Sequence, residues 1–212
     1  MDALSIILKT KMIAIARRIY GSDLVSASKA LYDGGIRAFE VAFEQDKPIE
    51  LTVKAIEELR AALPADAAVG AGTVMTVGQA EAAHRAGASF VISPNTSPDV
   101  IKKTKELSMV SVPGAMTPTE IAFAQSLGAD IVKLFPAGVL GIEYFKAVKA
   151  PLKTIPLAAV AGITEKNIKG FSDAGAAAFG ISSSLFRTEL IEKGDFDRIR
   201  SAAEGFIRAL SD

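Results

Sequence analysis

Eight short apolar, β-branched runs punctuate the chain, and the segments between them carry apolar residues at helical spacing. The runs are Met12 to Arg17, Ala38 to Phe43, Ala67 to Val74, Ser89 to Ser93, Met109 to Val112, Asp130 to Phe135, Ile155 to Val160 and Ala176 to Ile181. Strand and helix alternating every ~20 to 25 residues is the signature of βα units on a parallel sheet, and eight such strands can close into a barrel. The expected fold is therefore α/β, a single-domain (β/α)8 TIM barrel over residues 1–212 with a short N-terminal helix. An open doubly wound sheet is the competitor, but it usually has fewer strands and a glycine-rich phosphate turn after the first. Here the first run leads into Ala16-Arg17-Arg18-Ile19-Tyr20 instead.

Local signals agree with that frame. Between the second and third runs, Pro48 to Leu63 reads as a helix with Ile49, Val53, Ile56 and Leu59 on one face and Glu57, Glu58 and Arg60 on the other. A small-residue pair repeatedly precedes a strand: Gly34-Gly35 before Ala38, Ala86-Gly87-Ala88 before Phe90, Leu127-Gly128-Ala129 before Ile131, and Ala174-Gly175-Ala176 before Phe179. Glycine just past a helix adopts the left-handed conformation other residues resist, so these are helix stops.

Composition narrows the chemistry. The 24 Lys+Arg balance 24 Asp+Glu, which gives no electrostatic reason to expect nucleic acid or an anionic membrane as partner. The longest uncharged span lies between Asp66 and Glu81 and is broken by Gly70, Gly72 and Gly78, too short to cross a bilayer. MDALSIILKTKM suits an amphipathic helix better than a signal peptide, so a cytoplasmic protein is expected. With no cysteine and only His84, thiolate chemistry, cysteine zinc sites and multi-histidine metal sites are excluded. His84 itself falls in the helical segment Val77 to Ala86, a surface position. Catalysis would have to rest on Lys, Arg, carboxylates, hydroxyls and backbone amides.

Sites in such barrels form at the C-terminal ends of the strands. Lys133, in Asp130-Ile-Val-Lys-Leu-Phe-Pro136, stands mid-strand where an ammonium is costly to desolvate; that cost lowers its pKa and frees an amine for Schiff-base formation. The competing reading is a lysine that snorkels to the rim or pairs with a carboxylate. Glu40 is the one charge in Ala38-Phe-Glu-Val-Ala-Phe43 and either pairs with Lys133 or Arg17 or acts as a general acid/base. Gly70-Ala-Gly-Thr73 lacks the longer dinucleotide fingerprint. Ser182 to Ser184 after the last strand suits a phosphate, or simply caps a helix.

Taken together, Gly70-Ala-Gly-Thr-Val74, Ile92-Ser-Pro94, Pro113-Gly-Ala-Met-Thr-Pro-Thr-Glu120 and Val132-Lys-Leu-Phe-Pro136 resemble the class I aldolases that cleave 2-keto-3-deoxy-6-phosphogluconate or 4-hydroxy-2-oxoglutarate. The resemblance implies a homotrimer that uses neither metal nor cofactor, with a small 2-keto acid as its partner. By it, Lys133 is the Schiff-base lysine and Glu40 moves protons through a water. Thr73 and Pro94 line the pyruvate pocket, Phe135 packs beside the imine, and Gly162 and Ser183 lie at the phosphate end. One branch of the family has an arginine four residues after the glutamate, where this chain has Glu44, an acid that would repel a carboxylate. Ile13-Ala-Ile-Ala-Arg17 matches the other branch, so the carboxylate is assigned to Arg17. Ala159-Val-Ala-Gly162 replaces the usual Pro-Thr-Gly-Gly and adds a side chain near the phosphate amides. The rival reaction class is a phosphate-binding barrel decarboxylase or isomerase in which Lys133 and Glu40 act without a covalent intermediate. A barrel that has lost turnover is the third reading.

Overall fold

The computed structural model describes residues 1–211. Its strands are β1 (Met12–Ala16), β2 (Ala38–Ala42), β3 (Ala68–Gly72), β4 (Phe90–Ile92), β5 (Val110–Val112), β6 (Gly114–Ala115), β7 (Val132–Leu134), β8 (Leu157–Val160) and β9 (Ala178–Ile181). The connecting helices are α1 (Ala3–Thr10), α2 (Gly21–Asp33), α3 (Ile49–Ala62), α4 (Val77–Arg85), α5 (Pro98–Glu106), α6 (Pro118–Ser126), α7 (Ala137–Lys149), α8 (Ile168–Asp173), α9 (Thr188–Ile191) and α10 (Phe196–Ser211). All strand pairs are parallel, in the order β5-β4-β3-β2-β1-β9-β8-β7-β6.

The fifth run departs from expectation. Rather than ending at Val112, it continues through Gly114–Ala115, interrupted at Pro113, which has no N–H to give the ladder. β5 and β6 are thus two halves of one stave: β5 pairs with β4, and β6 pairs with β7. Pro113 O accepts from Lys133 N at 2.8 Å and Ser111 O from Asp130 N at 3.0 Å, so the stave is joined to β7 along its length. Eight staves close the expected barrel. The hydrogen-bonded strands begin one or two residues inside most predicted runs because the first residues belong to the turns.

Two cores follow from strand alternation. Residues facing outward, such as Phe39, Val41, Val132 and Leu134, pack with the helices. Those facing inward, including Ile13, Ile15, Ala38, Phe90, Ile92, Ala158 and Val160, fill the barrel together with Ala3, Ile6 and Ile7 of α1. The N-terminal helix therefore plugs the floor of the barrel, its first turn capped by Asp2, which accepts from Ser5 N at 2.9 Å. In α3 the inward stripe is Thr52, Ala55, Ile56 and Leu59; Ile49, expected on that face, sits in the first turn and is exposed. His84 is exposed on α4, as its helical position predicts. Among the described residues no helix is long and apolar enough to cross a membrane.

Candidate active site

Glu40 and Lys133 each stand between two outward-facing apolar neighbours, so alternation turns both into the barrel interior. They are 1% and 5% exposed, respectively. On an eight-stave ring β2 and β7 lie opposite one another, and the two side chains approach from facing walls. Their charges are coupled. Burial lowers the Lys133 pKa, with Arg17 adding to that effect and Glu40 opposing it. Burial likewise raises the Glu40 pKa, while Lys133 and then Arg17 pull it back. Glu40 Oε2 has no hydrogen-bond partner. The lysine thus neither snorkels out nor forms a fully satisfied ion pair.

Lys133 reaches a cavity of about 530 Å3 that Arg17 and Phe135 also line, together with residues 160–164 and 180–184; Glu40 lies behind Lys133 and is not in the lining. Lys133 Nζ lies 4.7 Å from the centre of the Phe135 ring. Arg17 follows β1 at the rim, and its Nη2 donates to Thr73 Oγ1 at 3.3 Å. Pro94 presses its carbonyl against Gly114, where an added Cβ would come within 2.3 Å of the oxygen. Thr73 and Pro94 are therefore on the mouth but not in the lining of the cavity that holds Lys133, whereas Gly162 and Ser183 are in it.

Glu44 does not behave as its position suggests. Tyr20 Oη donates to its Oε1 at 2.6 Å and Arg18 Nε lies 3.4 Å from its Oε2, so the carboxylate is engaged away from the cavity lining. The same contact, added to burial, pushes the Tyr20 hydroxyl up to about 12. At the far side, Ala161 and Gly162 both have φ +72°, and the turn packs so closely on Gly138 that a Cβ there would meet Gly162 Cα at 2.6 Å. The turn is pinned by Gly138 N donating to Ala161 O at 2.8 Å and by Asn167 Nδ2 donating to Gly162 O at 2.8 Å. Among the described residues, the N–H groups of Gly162, Ile163, Ser183 and Ser184 donate to no backbone carbonyl. Ser182 O meanwhile accepts from Leu185 N and Phe186 N, which folds the serine run into one tight turn.

Sequence reasoning passed over Gly72. A Cβ at this residue would fall 1.6 Å from Glu40 Oε1, so the glutamate occupies the space a side chain would need. The second glycine of Gly70-Ala-Gly-Thr73 was the available signal, but only strand register reveals what it faces.

A family model described as "Aldolase: KDPG and KHG aldolase" matches residues 4–202. The chain belongs to this aldolase family. The 2-dehydro-3-deoxy-6-phosphogalactonate aldolase of Escherichia coli (strain K12) is 33% identical over 202 residues, 95% of each chain. A solved structure described as native KDPGal is 32% identical and superposes with a TM-score of 0.85 over 94% of each chain. The KDPG aldolase of Legionella pneumophila, crystallised with pyruvate captured as a covalent carbinolamine, is 26% identical, with a TM-score of 0.83 over 96% of this chain and 97% of that one. This KDPG and KHG aldolase family member thus shares its barrel with relatives along almost its entire length.

Proposed function

We propose that this chain is a class I aldolase that reversibly cleaves a 4-hydroxy-2-keto acid, foremost a 2-keto-3-deoxy-6-phospho sugar acid, to pyruvate and an aldehyde. The observation that carries the proposal is Lys133: an amine 5% exposed inside the barrel, its pKa lowered by burial, with a buried carboxylate on the facing wall. Burial makes the neutral amine accessible, and the neutral amine is the nucleophile.

In this reading Arg17 binds the substrate carboxylate and sets the C2 carbonyl over Lys133. Nζ adds to C2 to give a carbinolamine, and loss of water gives an iminium. Glu40, ionised with the help of Lys133 and Arg17, takes the C4 hydroxyl proton. The C3–C4 bond breaks, its electron pair passes to the iminium, and the aldehyde leaves. The resulting enamine takes a proton at C3, and water hydrolyses the imine to free pyruvate and the amine. Thr73 and Pro94 border the pyruvate end and Phe135 stacks beside the imine. The open amides of Gly162, Ile163, Ser183 and Ser184 receive the phosphate, as backbone N–H clusters do elsewhere.

The relatives support both halves of the proposal: one acts on 2-dehydro-3-deoxy-6-phosphogalactonate, and another holds pyruvate as a covalent carbinolamine. We also propose that the chain acts in the cytoplasm as a homotrimer without cofactor; Met116, Phe123 and Val139, apolar and exposed, are available for a subunit contact. Incubation with pyruvate and borohydride should attach one reduced pyruvate to Lys133, located by peptide mass spectrometry. Absence of the adduct, or its persistence in Lys133→Ala, would overturn the assignment. Turnover that borohydride leaves untouched would favour the non-covalent decarboxylase or isomerase.

A further inference from the structure

We propose that Gln45, braced by Gln79, is a positioning residue: together they hold Thr73 in a left-handed backbone conformation from which its hydroxyl orients Arg17. This rests on the reading above, in which Arg17 takes the keto acid's carboxylate. The starting observation is Thr73, a β-branched residue with φ +53°, a conformation such residues almost never adopt unless their surroundings impose it.

Three side-chain amide hydrogen bonds impose it. At the end of β3 the ladder still runs, with Gly72 O accepting from Phe43 N at 2.8 Å. One residue later a side chain takes the carbonyl, Gln45 Nε2 donating to Thr73 O at 2.9 Å, while Val74 N still donates to Ile92 O of β4 at 3.2 Å. Gln45 Oε1 in turn accepts from Gln79 Nε2 at 3.1 Å, and Gln79 Oε1 accepts from Met75 N at 2.7 Å. A backbone acceptor at Thr73 and a backbone donor at Met75 terminate the chain of amides, so only one orientation of each amide satisfies all three bonds. Gln79 is 7% exposed in the first turn of α4, where its own N–H donates to the Thr76 cap at 3.2 Å. The brace is thus anchored in a helix start, and Thr73 to Met75 is gripped from both ends.

On its other side Thr73 offers Oγ1 to Arg17 Nη2. Arg17 is exposed, and a long exposed side chain without an orienting partner must lose its rotamer freedom when a ligand arrives. If the clamp is released, Thr73 relaxes toward negative φ, its hydroxyl leaves Arg17, and that ordering falls on substrate binding. Gln45 does not line the cavity that holds Lys133; with Arg17 and Thr73 it lines a neighbouring one of about 410 Å3, and its hydrogen bond within that group goes to Thr73.

The test compares wild type, Gln45→Ala and Gln45→Glu, each with and without Arg17→Ala, in borohydride trapping of pyruvate across a concentration series. Gln45→Glu keeps the acceptor for Gln79 but loses the donor to Thr73. Both Gln45 variants should lower the initial slope of trapping rate against pyruvate about three- to tenfold, the span one ordinary hydrogen bond covers, with the saturating rate unchanged. In the Arg17→Ala background Gln45→Ala should add no further loss, a coupling that a purely structural role would not produce. An unchanged slope, or an equal loss in both backgrounds, overturns the inference while leaving the Lys133 chemistry intact. No wild-type adduct overturns the Schiff-base reading, and this inference with it.

Discussion

A buried carboxylate needs room, and at Glu40 the room is made by a missing side chain. With Gly72 absent a Cβ, Glu40 Oε1 sits where that atom would be. Gly72→Ala should therefore displace the carboxylate, costing about 1–3 kcal/mol of stability by overpacking. It should also lower kcat on the order of 100-fold, as misplacement of a catalytic group by ~1 Å does. A thermal melt alongside kinetics would separate the two effects; a Gly72→Ala variant with normal kcat would show that Glu40 tolerates the shift. At this scale the sequence was informative where a charge stands among apolar neighbours: Glu40 and Lys133 are the single charges within β2 and β7. It was uninformative where meaning depends on a facing strand. Gly72, the Gln45–Gln79 brace and the Tyr20–Glu44 contact all join residues more than 20 positions apart, and no local pattern announces them.

The elements were legible through their boundaries. At Gly35, Gly87, Gly128 and Gly175 the backbone is left-handed, and each stop closes with two bonds, as in Gly87 N to His84 O at 2.9 Å and Ala88 N to Ala83 O at 3.0 Å. A fifth stop of the same form ends α5, with Ser108 at φ +58° and Met109 N bonded to Thr104 O at 3.0 Å. Serine hides it from any reading that looks for glycine. Pro113 likewise disguises one stave as two. The turn after β8 carries the opposite substitution, Ala161 at φ +72° where an alanine pays for its Cβ. Ala161→Gly should raise stability by about 1 kcal/mol by relieving the left-handed strain. In the aldolase assay it should lower KM for a phosphorylated substrate more than for 4-hydroxy-2-oxoglutarate, because the relieved turn is the one whose amides we propose receive the phosphate. A drop in stability would place the tolerance of Ala161 in its surroundings.

For the whole molecule, the cost of the site lies in desolvating its two charges. Glu40, raised from 4.5, is more readily protonated in the folded chain than in the unfolded, so stability falls as pH rises from 4.5 through its folded value. Lys133, lowered from 10.5, sheds its proton more readily when folded, so stability recovers as pH rises from its folded value toward 10.5. The penalty is greatest on the plateau between. The double variant Glu40→Gln/Lys133→Met should accordingly be inactive and more stable than wild type by about 1–4 kcal/mol near neutral pH, as when buried opposite charges are replaced together. Urea unfolding at several pH values checks both the sign and the narrowing of the gap toward either extreme.

Closure of the sheet has a bearing on how such a barrel can change. From β2 to β7 the hydrogen-bonded path through β1, β9 and β8 takes four steps, and the path through β3, β4 and the β5–β6 stave also takes four. The spacing between the acid and the amine is therefore held by two equal arcs, like a span braced from both banks. The loops at the mouth lie on neither arc. They are free to exchange one anion-binding arrangement for another while the span beneath them keeps its width.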